Sequence, residues 1–175
     1  MASFQDRVIG VMRLQAAAFE EVEHDTNATS QAAIVVLVVT MASALVVLDL
    51  GMRLFLGTIM TGLVRWVVGA FVVWVIGTKL LPGPNTEGDF TQLMRTLGFA
   101  HAPGIFGVLA IVPVIGWLVA LAASIWALIA AVIGVRQALD YDDTLRAVIV
   151  CVLAWVAMIV VMMLASLVGL GARVW

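Results

Sequence analysis

Two ionisable side chains interrupt the apolar stretches of this chain far from any loop: Arg65 and His101. A charge at the centre of a hydrocarbon layer costs a few kcal/mol, about 3 on insertion scales, so such residues ordinarily face a bundle interior or a cavity. Two readings of Arg65 follow. In one it works with Asp49 or His101 as an ion or proton path, or as a lipid-phosphate site. In the other it pairs with Asp49 or snorkels to the headgroups. A proton-coupled route would need a carboxylate in mid-span, and the sequence offers none, which favours the second reading. A separate charge cluster, Arg136, Asp140, Asp142, Asp143 and Arg146, surrounds one polar turn. It has the charge to hold a cation, although paired charges on a wet loop are the commoner outcome.

Enzyme signatures do not accompany these residues. Two histidines, one cysteine and no acidic pair within an apolar stretch leave no metal site of ordinary spacing. No Gly-x-Ser-x-Gly, His-Glu-x-x-His or phosphate-binding glycine loop is present. The sequence therefore implies no catalytic residue, no metal and no cofactor. A net charge of −2 without a basic cluster implies no nucleic-acid partner. Cys151 stands alone, so no intramolecular disulfide is available.

The elements that position these residues follow from composition. At 64% hydrophobic and 11% charged, a water-soluble domain would expose large apolar patches. A helix of about 20 apolar residues crosses a hydrocarbon core about 30 Å thick. The apolar runs predict an all-α integral membrane bundle of five spans, at about 31–50, 58–81, 91–112, 114–138 and 144–169. The stretch 82–89 must be a loop, since Pro82, Gly83, Pro84 and Gly88 cannot continue a helix. Pro113 and Gly116 divide a long apolar run, by a tight turn or by a shallow re-entrant hairpin. Asp143 is placed to cap the fifth span.

Residues 1–30 form a polar lead, distinct from the membrane domain at 31–175. It lacks the continuous apolar core of a signal peptide, which is about 7–15 residues long. Phe4, Val8, Val11, Met12, Phe19 and Val22 recur at helical spacing, and Ser3 with Asp6 resembles a capping box. The lead thus reads as an amphipathic helix, lying on the membrane surface or packed on the end of the bundle. Lys and Arg residues orient the whole: with the N-terminus in the cytoplasm, Arg7, Arg13, Lys79, Arg95, Arg136 and Arg146 all fall inside, and Arg53 and Arg173 outside. That predicts a multi-pass protein of the cell inner (plasma) membrane with its C-terminus outside.

The most distinctive string runs from Arg95 through Gly98-Phe99-Ala100-His101-Ala102-Pro103, closes at Pro113 and leads into Trp126 and Arg136-Gln137-Ala138-Leu139-Asp140. It resembles the Yip/Yif family of multi-span membrane proteins, whose third span opens on a Gly-Tyr-x-x-x-Pro-like element; Gly98 to Pro103 looks like the bacterial form of it. The cytoplasmic lead and the odd number of spans are similar too. The Asp-Leu-Tyr-Gly-Pro element of eukaryotic members is missing, and Asp49-Leu50-Gly51 is no stand-in for it. The resemblance implies membrane organisation or trafficking, in eukaryotes through small GTPases; a GTPase partner does not carry over, because the polar lead is short.

Independently of kinship, Gly98, Ala102 and Gly104 bare one helix face so that a neighbouring backbone can approach. Pro103 frees a carbonyl that needs another donor, such as His101. Ala123, Ala127, Ala131 and Gly134 make a small-residue stripe for packing within the fold, with a homodimer seam as the sharper alternative. The residues singled out for function or packing are Arg65, Arg95, Gly98, His101, Pro103, Arg136 and Asp140. The expected role is a non-catalytic organiser or scaffold of membrane proteins and lipids, or a small subunit of a larger membrane complex. The competing role is a small transporter, channel or lipid-handling protein with a cavity near Arg65 and His101. Membrane lipids and other membrane proteins are the expected partners.

Overall fold

The computed structural model describes residues 2–167. The chain is an all-α membrane bundle, with five helical segments long and apolar enough to cross a membrane among the described residues. Two short helices come first, α1 (Phe4–Met12) and α2 (Ala16–His24). Five longer elements follow: α3 (Ala28–Ala44), α4 (Met52–Val75), α5 (Phe90–Ala100), α6 (Gly116–Ala138) and α7 (Thr144–Leu167).

The polar lead is two helices and not one. The Ser3–Asp6 capping box starts α1, with the Asp6 amide donating to Ser3 Oγ at 3.2 Å. The chain then reverses at Arg13-Leu14-Gln15, where Leu14 takes φ 59°. Val11, Phe19 and Val22 are fully buried. They share a core with Ala32, Val36 and Phe99, so the pair packs into the polar end of the bundle. Trp126, twelve residues short of the end of α6, donates its indole N–H to the Met12 carbonyl at 2.9 Å.

The span boundaries shift where local chemistry dictates. A 3₁₀ extension, Leu45–Leu50, lengthens α3. A single residue, Gly51 at φ 116°, then reverses the chain, a conformation that glycine adopts without steric cost. The second span therefore begins at Met52, six residues before the expected boundary, and runs to Leu80 through a π-helical turn, Ile76–Leu80. The third span changes character midway. Its α-helix stops at Ala100, and Ala102–Ile111 continues as 3₁₀ helix. Pro103 has no N–H for the Phe99 carbonyl one turn back, so the α-helical ladder ends there. The two halves together span about 36 Å, a full crossing. The turn at Pro113 separates this span from α6, with Val114 at φ 72°. The fifth helix is described to Leu167, so the last residues of the expected span, to 169, lie outside the described part, as do Arg173 and Trp175.

The centre of the bundle is α5. Seven of its eleven residues are buried, so it must be enclosed on nearly every side. It touches α2, α3, α4 and α6. Gly98 makes the closest approach possible: a Cβ there would sit 2.7 Å from Ala32 Cβ and 3.2 Å from the Trp66 ring. A second core joins Ala70, Leu93, Val135, Leu139 and Val150. Gly134, at the end of the small-residue stripe, packs against Phe19 and Thr96 inside the fold and is closed to a second copy. Outward-facing Leu, Ile, Val and Met of α3, α4, α6 and α7 form the lipid-facing surface.

Two glycines at similar depth give a direct check. Gly98→Leu forces a side chain between three helices and is expected to destabilise the protein by about 1–3 kcal/mol or more. Gly69→Leu, where a Cβ meets nothing within 4 Å, is expected to be neutral. Thermal unfolding of both variants in mild detergent measures the contrast; equal melting temperatures would contradict the packing described.

Candidate functional site

Polar chemistry concentrates at one end of the bundle, where α1 and α2 meet the 82–89 loop and the α6–α7 turn. Arg7 organises the outer part. Its guanidinium donates to Gln31 Oε1 at 2.9 Å, Glu21 Oε1 at 3.1 Å and Asp25 Oδ2 at 2.6 Å, tying α1 to α2 and α3. The hydrogen bond from Arg7 holds the Asp25 carboxyl below the usual range. Glu21 is lowered as well, first by the Ala2 amide and then by Arg7.

Deeper in, Arg95 and Glu23 form a clasp between α5 and α2. The buried guanidinium donates through Nε, at 3.0 Å, and through Nη2 to the Glu23 carbonyl, the type of unpaired acceptor that a helix C-terminus leaves. The Glu23 carboxylate does not take the arginine. It accepts from Gln92 Nε2 at 3.1 Å, with the residue only 2% exposed. Burial pushes this carboxyl up to about 7, with Asp140 and Glu20 adding to the shift and His24 and Arg95 opposing it. His24 is raised by the Glu20 carbonyl, 2.9 Å from its Nδ1, and by the charge of Glu23.

Above the clasp opens a polar cleft of about 770 Å³. Glu20, Glu23 and His24 line it from α2, Glu87 from the loop, and Arg136 and Asp140 from the α6–α7 turn. The turn is fixed by Arg136, which spans it without pairing with any of its carboxylates: the guanidinium donates to the Tyr141 and Asp142 carbonyls and to Thr144 Oγ1. Arg136 and Arg146, the latter on the Pro82 carbonyl, are thus held by backbone acceptors and not in the ion pairs expected of them. Asp140 occupies the left-handed region at φ 50°, common for Asp at the end of a helix. Tyr141 is buried, its hydroxyl 2.9 Å from the carbonyls of both Gly77 and Leu81, which anchors the turn to the end of the second span.

The residues singled out in the sequence therefore fall in three places. Arg136 and Asp140 line the cleft, and Arg95 lies beneath it. Gly98, His101 and Pro103 sit deeper, at the break in the third span, where the His101 ring takes up the Leu97 carbonyl at 2.7 Å from Nδ1. Arg65 is elsewhere, exposed on the flank of α4, and Asp49 lies at the far end of α3, so the two do not pair. Glu23, Gln92 and Tyr141 are the site residues the sequence reading passed over. Glu23 carried a signal: it stands four residues after Phe19, an acid on the apolar face of its helix. Tyr141 is the single tyrosine of the chain, but nothing in its spacing points to the partners it finds.

A family model described as the Yip1 domain matches residues 9–165, from the last turn of α1 through α2 to all but the end of the last span. No curated protein and no solved structure gives a significant match.

The raised carboxyl sets a pH dependence. Folded Glu23 keeps its proton to about pH 7, whereas an unfolded glutamate loses it near 4.5, so stability falls as pH rises through that interval. His24, also raised, acts in the same direction. Melting in detergent is expected to be lower at pH 8 than at pH 5.5, by on the order of 1–3 kcal/mol. Glu23→Gln should remove most of that slope and raise stability at pH 8. A wild-type profile that rises with pH would refute the assignment.

Proposed function

The chain belongs to the Yip1-domain family, and from that membership we propose that it is a non-catalytic organiser of membrane proteins, docking them at its polar end. The observation that carries this reading is the contrast between the two parts of the molecule. Within the membrane, α5 is packed on nearly all sides, with Phe99 and Leu93 fully buried. Two cavities, of about 770 and 690 Å³, open at the polar end, and neither is lined by Arg65 or His101. A transporter would need a polar passage beside those residues.

The polar end has the features of a contact surface. The cleft combines exposed carboxylates at Glu20, Glu87, Asp140 and Asp142 with the fixed cation of Arg136. Such a mixed rim selects partners by charge more than it adds affinity. Its floor is rigid, because the Arg95–Glu23 clasp and Tyr141 tie four elements together. The distribution of Lys and Arg supports a cytoplasmic placement of this end in the inner (plasma) membrane of the cell, with the C-terminus outside. The role as a small subunit of a larger complex is one form of the same activity.

The test uses positions that the fold does not need. Glu87 and Asp142 are exposed, and their side chains make no hydrogen bond or ion pair among the described residues. The double charge reversal Glu87→Lys with Asp142→Lys is expected to cut recovery of proteins that co-isolate from native membranes about tenfold, with unchanged protein level and melting temperature. Unchanged recovery would reject the cleft as the docking surface. Solute flux through vesicles holding the purified protein alone would reject the organiser reading altogether.

A further inference from the structure

Resting on the cleft's role as a docking surface, we infer that the segment it seats is basic: a stretch of the partner protein whose lysine or arginine meets the free carboxylate oxygen of Glu23. The sign of the charge follows from what the cleft has left to offer. Glu20, Glu87, Asp140 and Asp142 line it together with Glu23. None of these carboxylates takes part in an ion pair among the described residues. Arg136, the arginine of the cleft, has each guanidinium nitrogen already donating: Nε to the Tyr141 carbonyl, Nη1 to Thr144 Oγ1 and Nη2 to the Asp142 carbonyl. A carboxylate or phosphate would have to compete with those bonds for it. An acidic segment or an anionic headgroup would also face the unpaired acids, whereas a basic segment complements them.

Glu23 separates this cleft from a patch of surface acids. The residue is only 2% exposed, yet it lines the cleft. One carboxylate oxygen, Oε1, accepts from Gln92 Nε2 at 3.1 Å, and the other, Oε2, accepts no hydrogen bond among the described residues. Oε2 is not sealed off either, because among those residues the side-chain atom that is buried without a partner is Arg7 Nε. An unpartnered acceptor on a buried side chain therefore opens into the cleft. Asp140 and Glu20 stand close enough to this carboxyl to disfavour its charge, and a cation beside it offsets them. A metal ion is the wrong cation, since no three acids, histidines or cysteines converge closely enough to hold one among the described residues. Carboxylates spread over α2, the 82–89 loop and the α6–α7 turn suit charges spaced along a chain instead.

Docking is then coupled to a proton. Burial pushes the Glu23 carboxyl up to about 7 while the cleft is empty. The groups that face it are Glu20 and His24 on α2, Arg95 on α5 and Asp140 on the α6–α7 turn, with Glu87, Arg136 and Asp142 on the rim. A partner's ammonium or guanidinium favours the ionised carboxyl, so it drives the proton off as it binds. Affinity for a basic segment therefore rises with pH to about 7 and levels off above it. His24, raised from its ordinary value, acts in the same direction, because its charged form repels a cation at low pH. The polar end thus lets go of its partner as pH falls.

The probe is a short glycine–serine peptide bearing lysines, compared with the same peptide bearing glutamines in their place, titrated into the full-length protein in mild detergent. At pH 8 the lysine peptide is expected to bind about tenfold more tightly than the glutamine peptide. Its affinity should fall about tenfold between pH 8 and pH 5.5. Calorimetry near pH 6.5, in buffers of different ionisation enthalpy, should show a proton released on binding. Glu23→Gln should remove most of that release and most of the pH dependence, with a melting temperature at pH 8 no lower than the wild type's. Equal binding of the two peptides by the wild type would overturn the proposal. So would proton release that survives in Glu23→Gln, which would assign the linkage to His24. A lysine peptide that binds Glu87→Lys with Asp142→Lys as tightly as the wild type is seated outside the cleft, and the proposal falls. The docking reading is judged apart from this, by recovery of native partners. If that double variant cuts recovery while the two peptides bind the wild type alike, the cleft docks a segment that is not basic.

Discussion

A carbonyl left without a donor inside hydrocarbon costs several kcal/mol, and several carbonyls of this bundle are met by a donor from a distant side chain. The largest break is in the third span, where Pro103 cannot continue the α-helical ladder. The His101 ring takes the Leu97 carbonyl and not, as expected, the Phe99 carbonyl that Pro103 frees, and the tighter 3₁₀ repeat carries the chain onward to Ile111. That segment is longer than 3₁₀ runs usually are, and it is braced by neighbours. Phe106 stacks on Trp126 with ring centres 5.9 Å apart, and Gly116 brings α6 against the Leu109 and Ala110 carbonyls.

Side-chain donors on backbone carbonyls recur through the bundle, at several element ends and once inside α5. Trp66 donates to Met94, Trp74 to Gly88 and Trp126 to Met12, each an indole N–H on a backbone carbonyl. Tyr141 meets the carbonyls at the π-helical turn, and Arg95 meets that of Glu23. Long side chains with a polar tip are suited to this, because the apolar body packs while the tip bonds. The polar side chains of the bundle interior are thus mostly committed to backbone acceptors. Few are free for chemistry, which is consistent with a protein that acts through its surfaces.

Those surfaces differ in kind. The polar end presents a charged cleft over a carboxyl that burial raises to about 7. The flank of α4 presents a cation with no counter-charge of its own. The first is a wet surface, where charges steer and select. The second is apolar but for that cation, which makes no ion pair among the described residues.

Much of the architecture could be read from the chain alone. The number of spans, the polar loop at 82–89, the turn near Pro113 and the packing role of Gly98 all follow from apolar length and from the backbone limits of Pro and Gly. The sites were less legible, because charge on a helix gives its position along the chain but not the neighbour it meets. Arg65 and Asp49 looked like a pair, yet Asp49 lies beside the turn at Gly51 and Arg65 stands thirteen residues into α4 from that turn. Arg136 looked like a partner for nearby aspartates and instead binds carbonyls. Glu23 sat on an apolar helix face, but its raised proton affinity exists only because α2 folds back against α5. Hydrophobicity and backbone stereochemistry are properties of a segment, so sequence determines them. Burial, counter-charge and the donor for each freed carbonyl arise between segments distant in the chain, and only tertiary packing decides them.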